Sequence, residues 1–167
     1  MNIPPLPMVL GRGKIHNNII QPMSITTYDA YTRLSTMEAA RLTNFIHGQQ
    51  EEPKSSPRAI AKAIQYSTKE IPGLGGYVFV LEEQGEIMGL MVVNKTGMGD
   101  YIPENFIAFL TVRKGEKDKG VAQKLMDYAL QYCKGDLAIH IEGQGKQMDL
   151  LKENSFRLTH MEMRLNR

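Results

Sequence analysis

Asn105-Phe-Ile-Ala-Phe-Leu-Thr-Val-Arg-Lys-Gly-Glu-Lys-Asp-Lys-Gly-Val-Ala-Gln-Lys-Leu-Met126 decides how this chain folds. Asn105 to Val112 is apolar and β-favouring, which suits a strand covered on both faces. Arg113 to Lys119 interrupts it with charge and Gly115. From Val121 onward, Val121, Ala122, Leu125, Met126, Ala129, Leu130 and Cys133 fall at the spacing of one helical face. The helix therefore starts near Gly120. Its first amides lack intrahelical partners and carry partial positive charge, so that end can receive an anion such as a phosphate. Gly120 would allow positive φ and close approach of the backbone. Arg113, Lys114, Lys117 and Lys119 outweigh Glu116 and Asp118 in the loop. The same composition also fits a solvated, charged turn.

Counted from Val112, the segment Lys117-Asp118-Lys119-Gly120-Val121-Ala122 resembles the acetyl-coenzyme A loop of the GCN5-related N-acetyltransferases. In that family a strand ending in Val leads to Arg or Gln-x-x-Gly-x-Gly or Ala. Lys117 departs from the usual Arg or Gln, and Ala122 is an accepted variant. A second resemblance follows in register. Asp136 to Glu142 reads as the next strand, followed by a short helix from about Lys146 and then Phe156. Where the family has Asn, Ala and then Leu-Tyr-x-x-x-Gly-Phe, this chain has Gly145, Gln147, Leu150-Leu151 and Ser155-Phe156. Leu158 to Leu165 alternates as a terminal strand would.

The remaining sequence supplies the other elements. Met23 to Tyr31 is β-favouring. Ser35-Thr-Met-Glu38 is a capping-box pattern opening a helix through about His47. Ser56-Pro57 opens a second helix that carries Ile60, Ala61 and Ile64 on one face. Tyr77 to Glu83 and Ile87 to Asn94 flank Gln84-Gly85-Glu86 as a hairpin. The order predicts an α+β fold: a mixed, mainly antiparallel sheet flanked by helices, as in the acyl-CoA N-acyltransferases. Residues 1–20, with Pro4, Pro5 and Pro7, are expected to form an N-terminal extension, and residues 21–167 a single acetyltransferase-like domain.

Composition agrees with a domain of this size. The 167 residues hold 20 basic and 18 acidic side chains, a net charge of +2, which supplies no general attraction for nucleic acid. A single Cys excludes an intrachain disulfide and fits a reducing compartment. No segment has the uninterrupted apolar length of a membrane helix, and no metal site is expected. A cytoplasmic protein is the expectation.

The resemblance implies a mechanism. Acetyl-coenzyme A would be the co-substrate, its pyrophosphate on the amides of Lys117, Asp118, Lys119, Gly120, Val121 and Ala122, and its pantetheine arm along Leu110, Thr111 and Val112. A small-molecule or protein amine would attack the thioester directly, with a backbone N–H of the strand stabilising the oxyanion. Glu104 is the first candidate base, because related enzymes often use a Glu near there; a solvated loop carboxylate fits the same position. Glu142, His140, Glu82 and Glu83 are further candidates. The family's usual acid for the departing thiolate is a Tyr, and here Leu151 stands in its place; Leu cannot donate a proton. Tyr128 and Tyr132 could substitute or could simply pack. The alternative is a weak or inactive coenzyme A-binding sensor of the same fold. Acceptor specificity would come from Gly48 to Ser56 and Lys95 to Pro103, and a homodimer is possible.

Overall fold

A computed structural model describes residues 22–115, 120–141 and 146–165. The N-terminal extension therefore lies outside the described residues, as do Lys117, Asp118 and Lys119 of the loop and Glu142 and Gly145.

The elements run β1 (Ser24–Tyr28), α1 (Thr36–Gln49), α2 (Pro57–Ser67), β2 (Gly76–Glu83), β3 (Glu86–Lys95), β4 (Asn105–Val112), α3 (Val121–Tyr132), β5 (Leu137–Ile139) and α4 (Lys146–Glu153). The strands form one sheet in the order β1-β2-β3-β4-β5. The first four are antiparallel neighbours and β5 joins β4 in parallel. This is the mixed, mainly antiparallel sheet that the element order implies.

Local chemistry sets the boundaries. Ser35 accepts a hydrogen bond from Glu38 N–H, while the Glu38 carboxylate accepts from Ser35 N–H, so both halves of the capping box are present. Those two bonds also hold the Glu38 carboxyl below its ordinary pKa. Ser56 caps α2 through Ala59 N–H, with Pro57 at the first helical position. Gln84 and Gly85, both at positive φ, turn the β2–β3 hairpin tightly.

Two apolar layers cover the sheet. On one face, Leu42 and Ile46 of α1 and Ile60 and Ile64 of α2 pack against Val78, Val80, Leu90 and Val92. On the other, Val121, Leu125, Met126 and Ala129 of α3 and Leu151 of α4 pack against Phe79, Leu81, Met91, Val93 and Ile107. Strand alternation sorts each β2 side chain to one layer or the other.

Two expectations change at the C-terminal end. β5 spans only Leu137–Ile139 rather than Asp136 to Glu142. Leu158 to Leu165 forms no strand. It runs exposed, with no ladder partner among the described residues, because nothing here offers it a paired edge.

Candidate active site

β4 positions the site. Its pairing with β3 shifts register between Val92↔Phe109 and Val93↔Ile107, so Ala108 is an extra residue, a β-bulge. The bulge reverses the side-chain phase. Ile107, Leu110 and Val112 face the α3 layer, whereas the successive residues Ala108 and Phe109 both face the α1–α2 layer. It also bends the strand. β5 follows β4 only through Asn105↔Leu137, Phe106↔Ala138 and Ile107↔Ile139, and pairing ends where the bulge begins.

Past that point β4 has an open edge. Arg113 N–H donates to Met88 O at 2.8 Å, which fixes the ladder phase with β3. Since antiparallel residues alternate between facing the partner strand and facing away, Leu110 and Val112 turn their backbone groups outward and Thr111 turns inward. Of the three strand residues expected to meet an acyl carrier, two are therefore presented through the backbone.

The edge leads to the start of α3. Gly120 sits at φ 66°, ψ 21°, and no side chain caps the helix. The first intrahelical bond is Lys124 N–H to Gly120 O, so the amides just before Lys124 have no intrahelical acceptor. A Cβ built on Gly120 would meet nothing within 4 Å, which leaves room above these amides. Val121 is fully buried and anchors the turn, and Ala122 is half-buried beside it. These amides, the partial positive charge of the helix start and the open space fit a pyrophosphate.

Two residues that sequence patterning does not single out hold this geometry. Gly89, inside β3, lets α3 seat closely: a Cβ there would lie 2.6 Å from Val121 Cγ1 and 3.1 Å from Leu125 Cδ1. A Gly inside an otherwise apolar strand was the available signal for such close approach. Gln49, at the end of α1, accepts Lys114 N–H at 2.7 Å across 65 residues of sequence. Nothing local in the sequence marks that contact. Gln50 next to it accepts Ser55 N–H at 2.9 Å, so the loop between α1 and α2 is braced beside the β4–α3 loop.

Arg113 is removed from the anion-attracting set. Its Nε donates to Ile87 O at 2.7 Å and its Nη2 pairs with Glu86 at 2.8 Å. Among the candidate bases, Glu82 is paired with Arg41 at 2.8 Å. His140 leaves the sheet after β5, stacks edge-on against Phe106 and contacts Glu162 at 3.2 Å. Glu104 stands just before β4, at the opposite end from Val112. Its Oε2 accepts Asp136 N–H at 2.7 Å, and its carboxyl packs against the turn at Gly135 and against Gly99. Its Oε1 has no hydrogen-bond partner among the described residues.

The tyrosines of α3 are structural. Tyr128 OH shares a 3.1 Å hydrogen bond with Thr27 Oγ1 of β1, and both rings pack with Phe79, Tyr132 also against Tyr77. They lie on the β1–β2 side of α3, away from the open edge of β4. Leu151 is in the core, 3% exposed. Gln123 and Asn154 exchange amide hydrogen bonds at 2.9 Å and pin the end of α4 to the first turns of α3. Cys133 is buried too, and burial pushes its thiol up to about 11, opposite to what a nucleophile needs.

Comparisons with known proteins agree with this architecture. Similar solved structures include a possible acetyltransferase from Clostridium difficile 630, at 13% identity and TM-score 0.63 over 88% of this chain and 98% of that one. An acetyltransferase of the GNAT family from Streptococcus pneumoniae TIGR4 aligns at 14% identity and TM-score 0.62, over 87% and 99%. The aminoglycoside N-acetyltransferase AAC(6')-Iy, solved in complex with CoA, aligns at 12% and 0.61, over 87% and 95%. No curated protein matches the chain significantly. At these identities the structures establish the fold, and the family rests on a sequence profile that matches residues 39–147, more than half of the chain. The chain belongs to the acetyltransferase (GNAT) family.

Proposed function

We propose that the chain transfers an acetyl group from acetyl-coenzyme A to an amine by direct attack on the thioester. One observation carries this reading: the bulge at Ala108 opens β4 from β5, and the open edge runs straight to an uncapped helix start at Gly120. The pantetheine arm pairs with the outward groups of Leu110 and Val112, as an added strand would. Its pyrophosphate rests on the amides from Gly120 to Ala122, with Lys117, Asp118 and Lys119 completing the loop. Leu110 N–H, the outward amide nearest the bulge, is the donor for the oxyanion that develops on the thioester carbonyl.

Glu104 is the base in this reading. Asp136 N–H fixes one carboxylate oxygen and leaves the other to take the amine proton through water. The thiolate departs without a tyrosine, since Leu151 is core. A thiol with a reference pKa near 8.5 is a tolerable leaving group, so catalysis is slowed rather than lost. The acceptor is a small-molecule or protein amine. Glu51 and Glu52, exposed beside the braced loop, favour a cationic one. No helix among the described residues is long and apolar enough to cross a membrane. The unpaired Cys133 fits a cytoplasmic setting.

Thiol release from acetyl-coenzyme A over a panel of amines tests the activity. Turnover above the amine-free rate is expected; cofactor binding without turnover on any amine would replace the enzyme by a sensor. Glu104→Gln separates basicity from bracing, because the amide oxygen still accepts Asp136 N–H. We expect kcat to fall by roughly a hundredfold or more with the melting temperature unchanged. An unaltered kcat would remove Glu104 from the chemistry.

A further inference from the structure

The segment after α4 is the most apolar exposed feature among the described residues. Leu158, Met161, Met163 and Leu165 are 79%, 91%, 97% and 79% exposed. Residues 157–165 make no backbone hydrogen bond to any other described residue. The backbone is nonetheless extended and alternating: Glu162 and Arg164 share one side, where Arg164 Nε donates to Glu162 at 2.7 Å and Glu162 reaches His140. Met161, Met163 and Leu165 thus share the other side. Edges that must stay unpaired are usually guarded by Lys or Pro, and this segment contains neither.

We propose that this segment pairs antiparallel with the same segment of a second copy, about a two-fold axis at Met163. The charge pattern selects both occupant and register. Centred on Met163, each Glu162 lies opposite the partner's Arg164, Met163 lies opposite the partner's Met163, and Met161 lies opposite the partner's Leu165. Every charge meets its opposite on one face, and the other face becomes a continuous apolar stripe. Centring on Glu162 sets two carboxylates against each other. Centring on Met161 places Arg164 against the partner's Leu158 and Met163 against its Thr159. A two-fold contact must be self-complementary, and the Met163 register meets that condition.

Sedimentation velocity on the full chain tests the pairing. The native chain forms a concentration-dependent dimer. E162R and R164E, each entering the interface twice, weaken dimerisation at least tenfold, and E162R/R164E restores it to within about threefold of native. Met163→Cys places two thiols across the axis, where Cα atoms of opposed strand residues lie roughly 4.5–5.5 Å apart. It cross-links on mild oxidation, whereas Thr159→Cys does not. A native chain that stays monomeric overturns the interface. A double variant no better than either single one overturns the register, as does cross-linking that Thr159→Cys matches.

Discussion

Replacing Gly89 by Ala should disturb the site from inside the sheet. The new Cβ would lie 2.6 Å from Val121 Cγ1, about 0.8 Å inside ordinary van der Waals contact, and 3.1 Å from both Leu125 Cδ1 and Thr111 O. Val121 and Leu125 are fully buried and the opposing atom of Thr111 is backbone, so no flexible side chain can yield. Overpacking of this kind costs about 1–3 kcal/mol, offset by under 1 kcal/mol from the restricted unfolded chain. The first turn of α3 must retreat, which moves the amides at Gly120 and lowers acetyl-coenzyme A affinity several-fold. Val121→Ala alone removes two buried methyl groups, a loss of roughly 2 kcal/mol. Together the two changes relieve each other, so the double variant should be more stable than the sum of the singles by at least about 1 kcal/mol. Urea unfolding followed by circular dichroism measures the cycle, and calorimetric titration measures affinity. Additivity within about 0.5 kcal/mol, or Gly89→Ala with native stability and affinity, would refute the close seating of α3.

Gly120→Val forces a β-branched residue into φ 66° and crowds the amides, so titration should show acetyl-coenzyme A binding weakened more than about tenfold. Gln49→Leu leaves Lys114 N–H without its acceptor; KM for acetyl-coenzyme A should rise a few-fold with kcat nearly constant, as steady-state kinetics would show. The folded state holds the Cys133 proton more tightly than the unfolded chain, so its contribution is complete below about pH 9 and is lost as pH climbs toward 11. The loss is on the order of 2 kcal/mol, and Cys133→Ala should unfold in urea with a shallower alkaline decline than the native chain.

The fold was legible because its signals are local. The Ser35–Glu38 capping box, Ser56-Pro57, the Gln84-Gly85 turn and the helical stripe from Val121 each depend on residues within a few positions of one another. The limits of β4 could be read from composition, since a strand buried on both faces needs an unbroken apolar run. The terminal strand failed for the complementary reason. Alternation in Leu158 to Leu165 encodes a strand's periodicity and supplies no partner, and a strand exists only in a pair.

By itself the sequence determined the order of elements, the mixed sheet, the αL position of Gly120 and the helix start that follows it. All of these arise from backbone sterics and from periodic apolar spacing. Only the tertiary structure decided what those elements do to one another. It placed the bulge at Ala108, which depends on register with β3 and splits β4 from β5. It took Arg113 from the anion cradle through Glu86, tied the cofactor loop to α1 through Gln49, and sent Tyr128 to Thr27 instead of the open edge. Each of these rests on partners dozens of residues apart in sequence, brought together by burial on the two faces of one sheet, where no local pattern can record them.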